Sequence, residues 1–357
     1  HLRRSEVCAT CHTLYTHALG PTGKVVGELP EQVPYLEWRH SAYRTVKSCQ
    51  DCHMPALAGA APIASVLGQP REGFSSHAFR GGNFLMPRLL NRHREELGVQ
   101  ALPQEQQAAA RRTVEHLQTR TASLSIPRAE VRGGRLEAEV VVANLAGHKL
   151  PTAYPSRRAW LHLTVRDRDG KRVFESGALA ARGSIAGNDN DADGRRYEPH
   201  HGVINRPDQV QIYESVMTDH GGAVTTGLLK GVRYVKDNRL LPRGFDKRTA
   251  HPDVAVRGSA AGDPDFAAGE DRVQYHVRVD SGRGPFSIEV ELWYQPIGYR
   301  WAQNLRRFKA VETARFTSAF ASMGSSSALR IASCVARAEP PRPEPPPAPQ
   351  PSPTTSP

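Results

Sequence analysis

The chain has 357 residues, 39% of them hydrophobic, with a formal net charge of +11. That length holds a sizeable core and room for two domains, and the apolar content excludes a generally disordered chain. No apolar run is long enough to span a bilayer. Aromatics are 7% and the arginines are dispersed, which excludes an interleaved nucleic-acid surface; the basic balance favours acidic partners or anionic surfaces.

Close to the start stands Cys8-Ala9-Thr10-Cys11-His12, and further on Cys49-Gln50-Asp51-Cys52-His53. Each is a C-x-x-C-H, the attachment signature of a c-type haem. Two thiols three positions apart reach the vinyl groups along one edge of the macrocycle, and the next residue offers an imidazole to the iron. Two copies use four of the five cysteines. The competing reading is a four-cysteine zinc site, which has no need of a histidine at the same place after both pairs. Disulfides within each pair are a third reading, without the βαβ setting of a redox C-x-x-C. The chain opens at His1-Leu2-Arg3-Arg4 without a secretory leader, and haem is attached to this motif outside the cytoplasm. A targeting segment is therefore expected to have been removed or to lie outside this stretch.

Between the motifs, Gly20-Pro21-Thr22-Gly23 predicts a turn, and Pro34 opens a short helix that carries Trp38. Trp38 is either packing against a haem or an ordinary core anchor. Met54 adjoins His53 and cannot reach the opposite face of the same group. After a loose stretch over 56–70, His77 lies in a polar and aromatic turn, as a distal ligand or a hydrogen-bonding surface residue. Met86 reads as packing. Residues 103–120 give the clearest helix, with proline first and Ala110, Val114 and Leu117 on one face. His93 and His116 read as structural or solvent-facing, with ligation open.

From about residue 126 the period changes to two. Strands are predicted over 135–142 and 159–166, with a hairpin back through Asp167-Arg168-Asp169-Gly170 to 171–175. Further strands are predicted over 209–217, 272–279 and 286–293. This favours an antiparallel β-sandwich. Asn144-Leu145-Ala146-Gly147-His148-Lys149-Leu150-Pro151-Thr152 forms a rigid loop at a sheet edge that can present His148 across the domain boundary to a haem. At Glu198-Pro199-His200-His201 either imidazole can ligate while its neighbour hydrogen-bonds. Asp189, Asp191 and Asp193 with Gly194 match the first half of a calcium loop, but the twelfth position is His200, so an EF-hand is rejected. A weaker calcium site stays open beside a solvated acidic turn. Arg239 and Arg243 lie in a dense loop as partners for propionates or as loop anchors. Tyr275, His276, Trp293 and Tyr294 read as core or edge residues of strands. Beyond Phe320 periodicity is lost, Cys334 has no evident partner, and the chain ends in a proline-rich stretch that predicts a disordered tail.

The expected class is therefore α+β. Residues 1–125 form a mainly helical and irregular haem-binding domain, residues 126–330 a β-rich sandwich-like domain, and residues 331–357 a Pro-rich disordered tail.

With both motifs, the Met54-Pro55 that follows the second, and Gly147-His148-Lys149-Leu150-Pro151-Thr152, the chain resembles the periplasmic multihaem c-type cytochromes, including relatives of cytochrome c554. The resemblance implies two covalent haems c, held by Cys8, Cys11 and His12 and by Cys49, Cys52 and His53. It implies distal ligation from His77, His148, His200 or His201, a periplasmic or extracytoplasmic location, and the C-terminal part of a longer member. Neighbouring haem-bearing segments or subunits and redox proteins would be its partners. Tyr43 stands where family members often place a histidine after W-x-x-S, so that role does not pass to His40. The expected function is electron transfer through bis-histidine haems. The alternative is an oxidoreductase with one open haem acting on a small nitrogen or sulfur compound, and a third reading makes the β domain a docking module.

Overall fold

The computed structural model describes residues 2–267 and 269–340. In the first part, α1 (Glu6–Ala9) carries the first motif, and β1 (Leu14–Leu19) and β2 (Val25–Gln32) follow as an antiparallel hairpin. Next come α2 (Pro34–Arg39), a short 3-10 turn, and α3 (Cys49–His53) with the second motif. The minimal pair β3 (Ala61–Pro62) and β4 (Pro70–Arg71) interrupts an irregular stretch. Then α4 (Leu85–Arg92) and α5 (Pro103–Arg120) complete this part. The predicted turn at Gly20–Gly23 is a hairpin turn. Its flanks carry little apolar alternation because β1 buries Ala18 alone among its six residues.

The second part contains β5 (Ala122–Arg132), β6 (Arg135–Asn144), β7 (Arg158–Arg166), β8 (Arg172–Ser176), α6 (Asp189–Ala192), β9 (Val203–Ile204), β10 (Ile212–Thr218), β11 (Val224–Thr225) and β12 (Arg233–Asp237). It ends with β13 (Glu270–Arg278), β14 (Phe286–Gln295), α7 (Tyr299–Asn304), α8 (Val311–Ser322) and β15 (Leu329–Ala338). This is a mixed α+β fold with two main sheets. One has seven strands, running β11-β10-β7-β14-β15 with β12 and β8 attached to β10 and β7. The other runs β5-β6-β13-β9, with β9 parallel to β13. Alternate residues of β6 (Leu136, Ala138, Val140, Val142), β13 (Val273, Tyr275, Val277) and β14 (Ile288, Val290, Leu292) are sealed from water in one core. Period-two burial of this kind sets their register, since a slip of one residue would expose every such side chain.

Two expected boundaries change. The one at 125/126 falls inside β5, and Val33, Phe84, Leu85, Leu89 and Leu117 share the core of the strands, so no linker divides the parts. The one at 330/331 falls inside β15, which pairs along β14 from Phe286↔Ala338 to Tyr294↔Leu329. Its small residues hide a strand pattern that long-range pairing reveals. Residues 341–357, the proline-rich run, lie outside the described residues.

The two parts are joined by buried charge. Glu37 of α2 and Asp237 of β12 face Lys149 and Arg239, and all four are at most 7% exposed. Lys149 Nζ lies 2.8 Å from Asp237 Oδ2. Arg239 gives Nε to Oδ1 at 2.9 Å and Nη2 to Oδ2 at 2.7 Å of the same carboxylate. Burial alone would raise the Asp237 carboxyl, but the two cations overcome it and hold it far below the usual range. Arg239, expected as a propionate partner or loop anchor, is thus committed to the interior.

Asp237→Asn should cost about 3–5 kcal/mol in urea unfolding, because it leaves two buried cations facing one carboxylate. A second expectation concerns His162 on β7, whose Nδ1 lies 3.0 Å from Glu291 and Nε2 3.2 Å from Glu175. Burial lowers its basicity, but hydrogen bonds that it donates to both carboxylates outweigh this and raise it above the ordinary value. The folded imidazole therefore binds its proton more tightly than the unfolded one. Its stabilisation is complete below about pH 6.5 and is lost as pH rises through the folded value. Unfolding free energies across neutral pH should show this decline, and His162→Gln should flatten it.

Candidate functional site

The two C-x-x-C-H motifs pack directly against one another. Ser5, which precedes α1, accepts a hydrogen bond on Oγ from the Cys49 amide at 3.1 Å, and Gln50 Nε2 donates to the carbonyls of Leu2 and Arg4, both at 2.9 Å. The Cys8 thiol lies within hydrogen-bonding reach of Cys49, and burial followed by that neighbour pushes it up. The second motif is started by its own sequence. Ser48 caps α3 through the Asp51 amide while Asp51 Oδ2 accepts from the Ser48 amide at 2.7 Å, a capping box that sets the five-residue helix. Cys11 and Cys52 are exposed, and all four motif cysteines are free thiols.

Three imidazoles converge behind the second motif. The His53 ring centroid is 6.1 Å from His148, with planes 18° apart, and 6.2 Å from His116 at 49°. The three come from α3, the loop after β6, and α5. His53 Nδ1 hydrogen-bonds the Arg80 carbonyl at 2.5 Å while the Arg80 amide returns a bond to the His53 carbonyl; His148 Nδ1 bonds the Lys149 carbonyl at 2.9 Å. Among the described residues, neither ring's Nε2 makes a hydrogen bond. A ligating histidine usually donates its other nitrogen to a carbonyl in this way. Two imidazoles bound at about 2 Å on opposite sides of one metal would have centroids about 6 Å apart, a separation that the 6.1 Å between His53 and His148 matches. Burial, then the neighbouring His53, lowers His148; burial, then His53 and Arg80, takes His116 down to about 4. Neutral imidazoles of this kind keep the lone pair that a metal needs. His116 Nδ1 is buried with no hydrogen-bond partner, which marks this helix residue as part of the cluster. Its place in the most regular helix gave it the look of a structural residue, and no local pattern shows that α5 turns it towards His53.

The loop bearing His148 is held on both sides. Asn144 Nδ2 donates to the His148 carbonyl at 2.9 Å and to that of Leu240 at 3.0 Å, and Tyr43 Oη donates to the Leu145 carbonyl at 3.0 Å. Gly147 packs against Trp38 and Tyr43, where an added Cβ would lie 3.5 Å from the indole. Trp38 is thus a contact of this loop, and its Nε1 donates to the Lys47 carbonyl just before the second motif.

The other expected ligands lie elsewhere. His12 keeps much of its surface in solvent at the end of the first motif, and its partial burial, then the nearby His53, lower its basicity. His77 is exposed and sits between Phe74 and Phe79, with ring centroids 6.0 and 6.1 Å away. His201 Nε2 is 2.6 Å from Glu198 Oε1. The acidic turn does not gather its carboxylates. Asp191 takes a two-pronged contact from Arg158, with both oxygens at 2.9 Å, while Asp189 pairs with Arg196 and Asp193 with Arg195. Each of the three carboxylates is thus already paired with a different arginine, which does not favour the calcium expectation. Among the described residues, the three or more candidate ligands that converge are His200, Asp263 and Asp271, not the motif cysteines.

Ligand atoms of His200, Asp263 and Asp271 lie within 4.8 Å of one another, a spacing that could hold a metal ion. Hydrogen bonds decide how His200 is arranged there. Its Nδ1 faces Gln211 Nε2 at 2.9 Å and Asn238 Nδ2 at 3.0 Å. Neither amide can be turned round, since Gln211 Oε1 accepts from the His201 amide and Asn238 Oδ1 from the Glu214 amide. Nδ1 is therefore an acceptor and Nε2 carries the hydrogen, 3.3 Å from Asp263 Oδ2 and 3.7 Å from Asp271 Oδ1. The imidazole lies against Phe266 in the interior. Asp271, wholly buried, is pushed up to about 6 by burial against hydrogen bonds from Tyr213 and Gln211. Burial likewise lowers His200, and protonating Nδ1 would set it against two donors. Nitrogen-15 NMR should find His200 as the neutral Nε2–H tautomer from about pH 5 to 8, without titration.

No protein-family model and no curated protein match the chain. Among solved structures, a penta-haem cytochrome c552 from Thermochromatium tepidum is similar at 17% identity and a TM-score of 0.48. The match covers 94% of this chain, which spans 56% of that one.

Proposed function

We propose that this chain is an electron-transfer segment of a multihaem c-type cytochrome, with Cys8, Cys11 and His12 holding one haem and Cys49, Cys52 and His53 the other. The observation that carries the reading is the pairing of His53 with His148 beside two packed C-x-x-C-H motifs. Bound haem supplies a one-electron ferric–ferrous couple. The chain's own residues do the rest. The four thiols would anchor the haem, His12 and His53 would each offer it one imidazole nitrogen, and His148 would offer another beside His53. The Arg80 and Lys149 carbonyls orient His53 and His148 through Nδ1. With an imidazole on each side at the His53 site, that site would favour electron transfer over substrate chemistry.

The packing of α1 on α3 brings the two attachment sites together, which suits transfer between them. The net charge of +11 suits an acidic redox partner. Covalent attachment to C-x-x-C-H places the protein in the periplasm or another extracytoplasmic compartment. Among the described residues, no helix is long and apolar enough to cross a membrane.

Protein matured with haem-attachment machinery should carry two haems per chain and show low-spin bis-histidine EPR signals. His148→Ala should convert the haem at Cys49–His53 to a high-spin form and leave the other signal in place. A high-spin component in the unmodified protein would favour catalysis at an open iron, and bound zinc without covalent haem would overturn the reading.

A further inference from the structure

The loop that brings His148 to His53 ends in a cluster of charges closed off from water. Glu37 Oε2 accepts the backbone amide of Lys149 at 3.0 Å and the hydroxyl of Thr152 at 2.5 Å. Its Oε1 is 2.8 Å from Arg239 Nη1, a charge contact without in-line hydrogen-bond geometry. Arg239 is in turn paired with Asp237, and Asp237 with the Lys149 ammonium. Two acids and two bases thus balance, and Glu37 and Lys149 are 0% exposed.

Lys149 is therefore held at three points: its amide by Glu37, its ammonium by Asp237, and its carbonyl by His148 Nδ1. The residue after the imidazole cannot move without breaking charge-assisted bonds, which are about twice as strong as neutral ones. On the other side, Glu37 belongs to α2, whose Trp38 indole donates to the Lys47 carbonyl, and Ser48 then caps the helix ending in His53. Glu37 stands between the two histidines, connected to one through Lys149 and to the other through Trp38, Lys47 and Ser48.

We propose that Glu37 is the positioning residue for His148: its carboxylate clamps the 145–152 loop onto α2 and so sets the placement of His148 against His53. This rests on the reading of His148 as an axial ligand. A plain structural role for Glu37 would change stability alone. A positioning role also changes how firmly His148 competes for its place.

The test uses the haem-loaded chain and the variants Glu37→Gln and His148→Ala, read by hydrogen exchange over residues 145–152 and by carbon monoxide binding to the reduced protein. Glu37→Gln should speed exchange of the Lys149 amide about ten-fold or more, from loss of a bond to a charged acceptor. It should also create a carbon-monoxide-binding fraction absent from the unmodified chain, with the circular dichroism spectrum retained. Unchanged exchange and unchanged carbon monoxide binding overturn the proposal. If His148→Ala opens the iron to carbon monoxide while Glu37→Gln changes neither readout, positioning fails and ligation stands. If Glu37→Gln loosens the loop while His148→Ala leaves the spectrum unaltered, the ligation reading fails and Glu37 is a clamp without a ligand to position. Where Glu37→Gln does not accumulate as folded protein, Thr152→Val carries the test. It removes one bond to the same carboxylate and keeps every charge, so a several-fold rise in exchange is expected, and no rise overturns the clamp.

Discussion

Glu37, Lys149, Asp237 and Arg239 meet where water does not reach, and each needs the others to remain charged there. Replacing such a group by apolar residues can leave a protein equally stable, whereas removing one partner strands a buried charge. What the cluster contributes is therefore a defined geometry more than net stability. It couples α2, between the two C-x-x-C-H motifs, to β12 and to the loop after β6. The hydrophobic core shared by the strands with Val33, Phe84 and Leu117 lets the two parts approach closely enough for these ion pairs to form.

Around this frame the histidines are sorted by their hydrogen-bond partners. His53 and His148 spend Nδ1 on backbone carbonyls and keep Nε2 clear. His200 is the reverse case, with amide donors on Nδ1, a hydrogen on Nε2 and two carboxylates ahead of it. His162 has carboxylates at both nitrogens and favours the protonated state. The side chain is the same, but whether it acts as a ligand, a neutral donor or a cation is set by what surrounds each nitrogen.

Carboxylates are sorted in the same way. Asp189, Asp191 and Asp193 have the alternation of a cation loop, yet each is claimed by a different arginine. Asp271 is paired with no arginine among the described residues, and burial raises its carboxyl to about 6. A run of acids in sequence says little about a binding site until the positions of nearby guanidinium groups are known.

The motifs on which the proposed haem attachment rests were readable in the sequence because they are local, two thiols and an imidazole within five residues. The helix at Pro103–Arg120 was legible for the same reason, as were the β6, β7 and β14 strands, whose periodicity lies within the segment itself. Cys8–His12 and Cys49–His53 determined the proposed cofactor, and the glycine and proline flanking His148 marked its loop as rigid. Tertiary structure decided the rest. The strand at Leu329–Ala338 exists through its pairing with β14, His116 joins His53 through the packing of α5, and His200 turns inward because two amides claim its Nδ1. In each case the deciding partner is distant along the chain, and a contact closed by folding leaves no period or motif in the residues on either side of it.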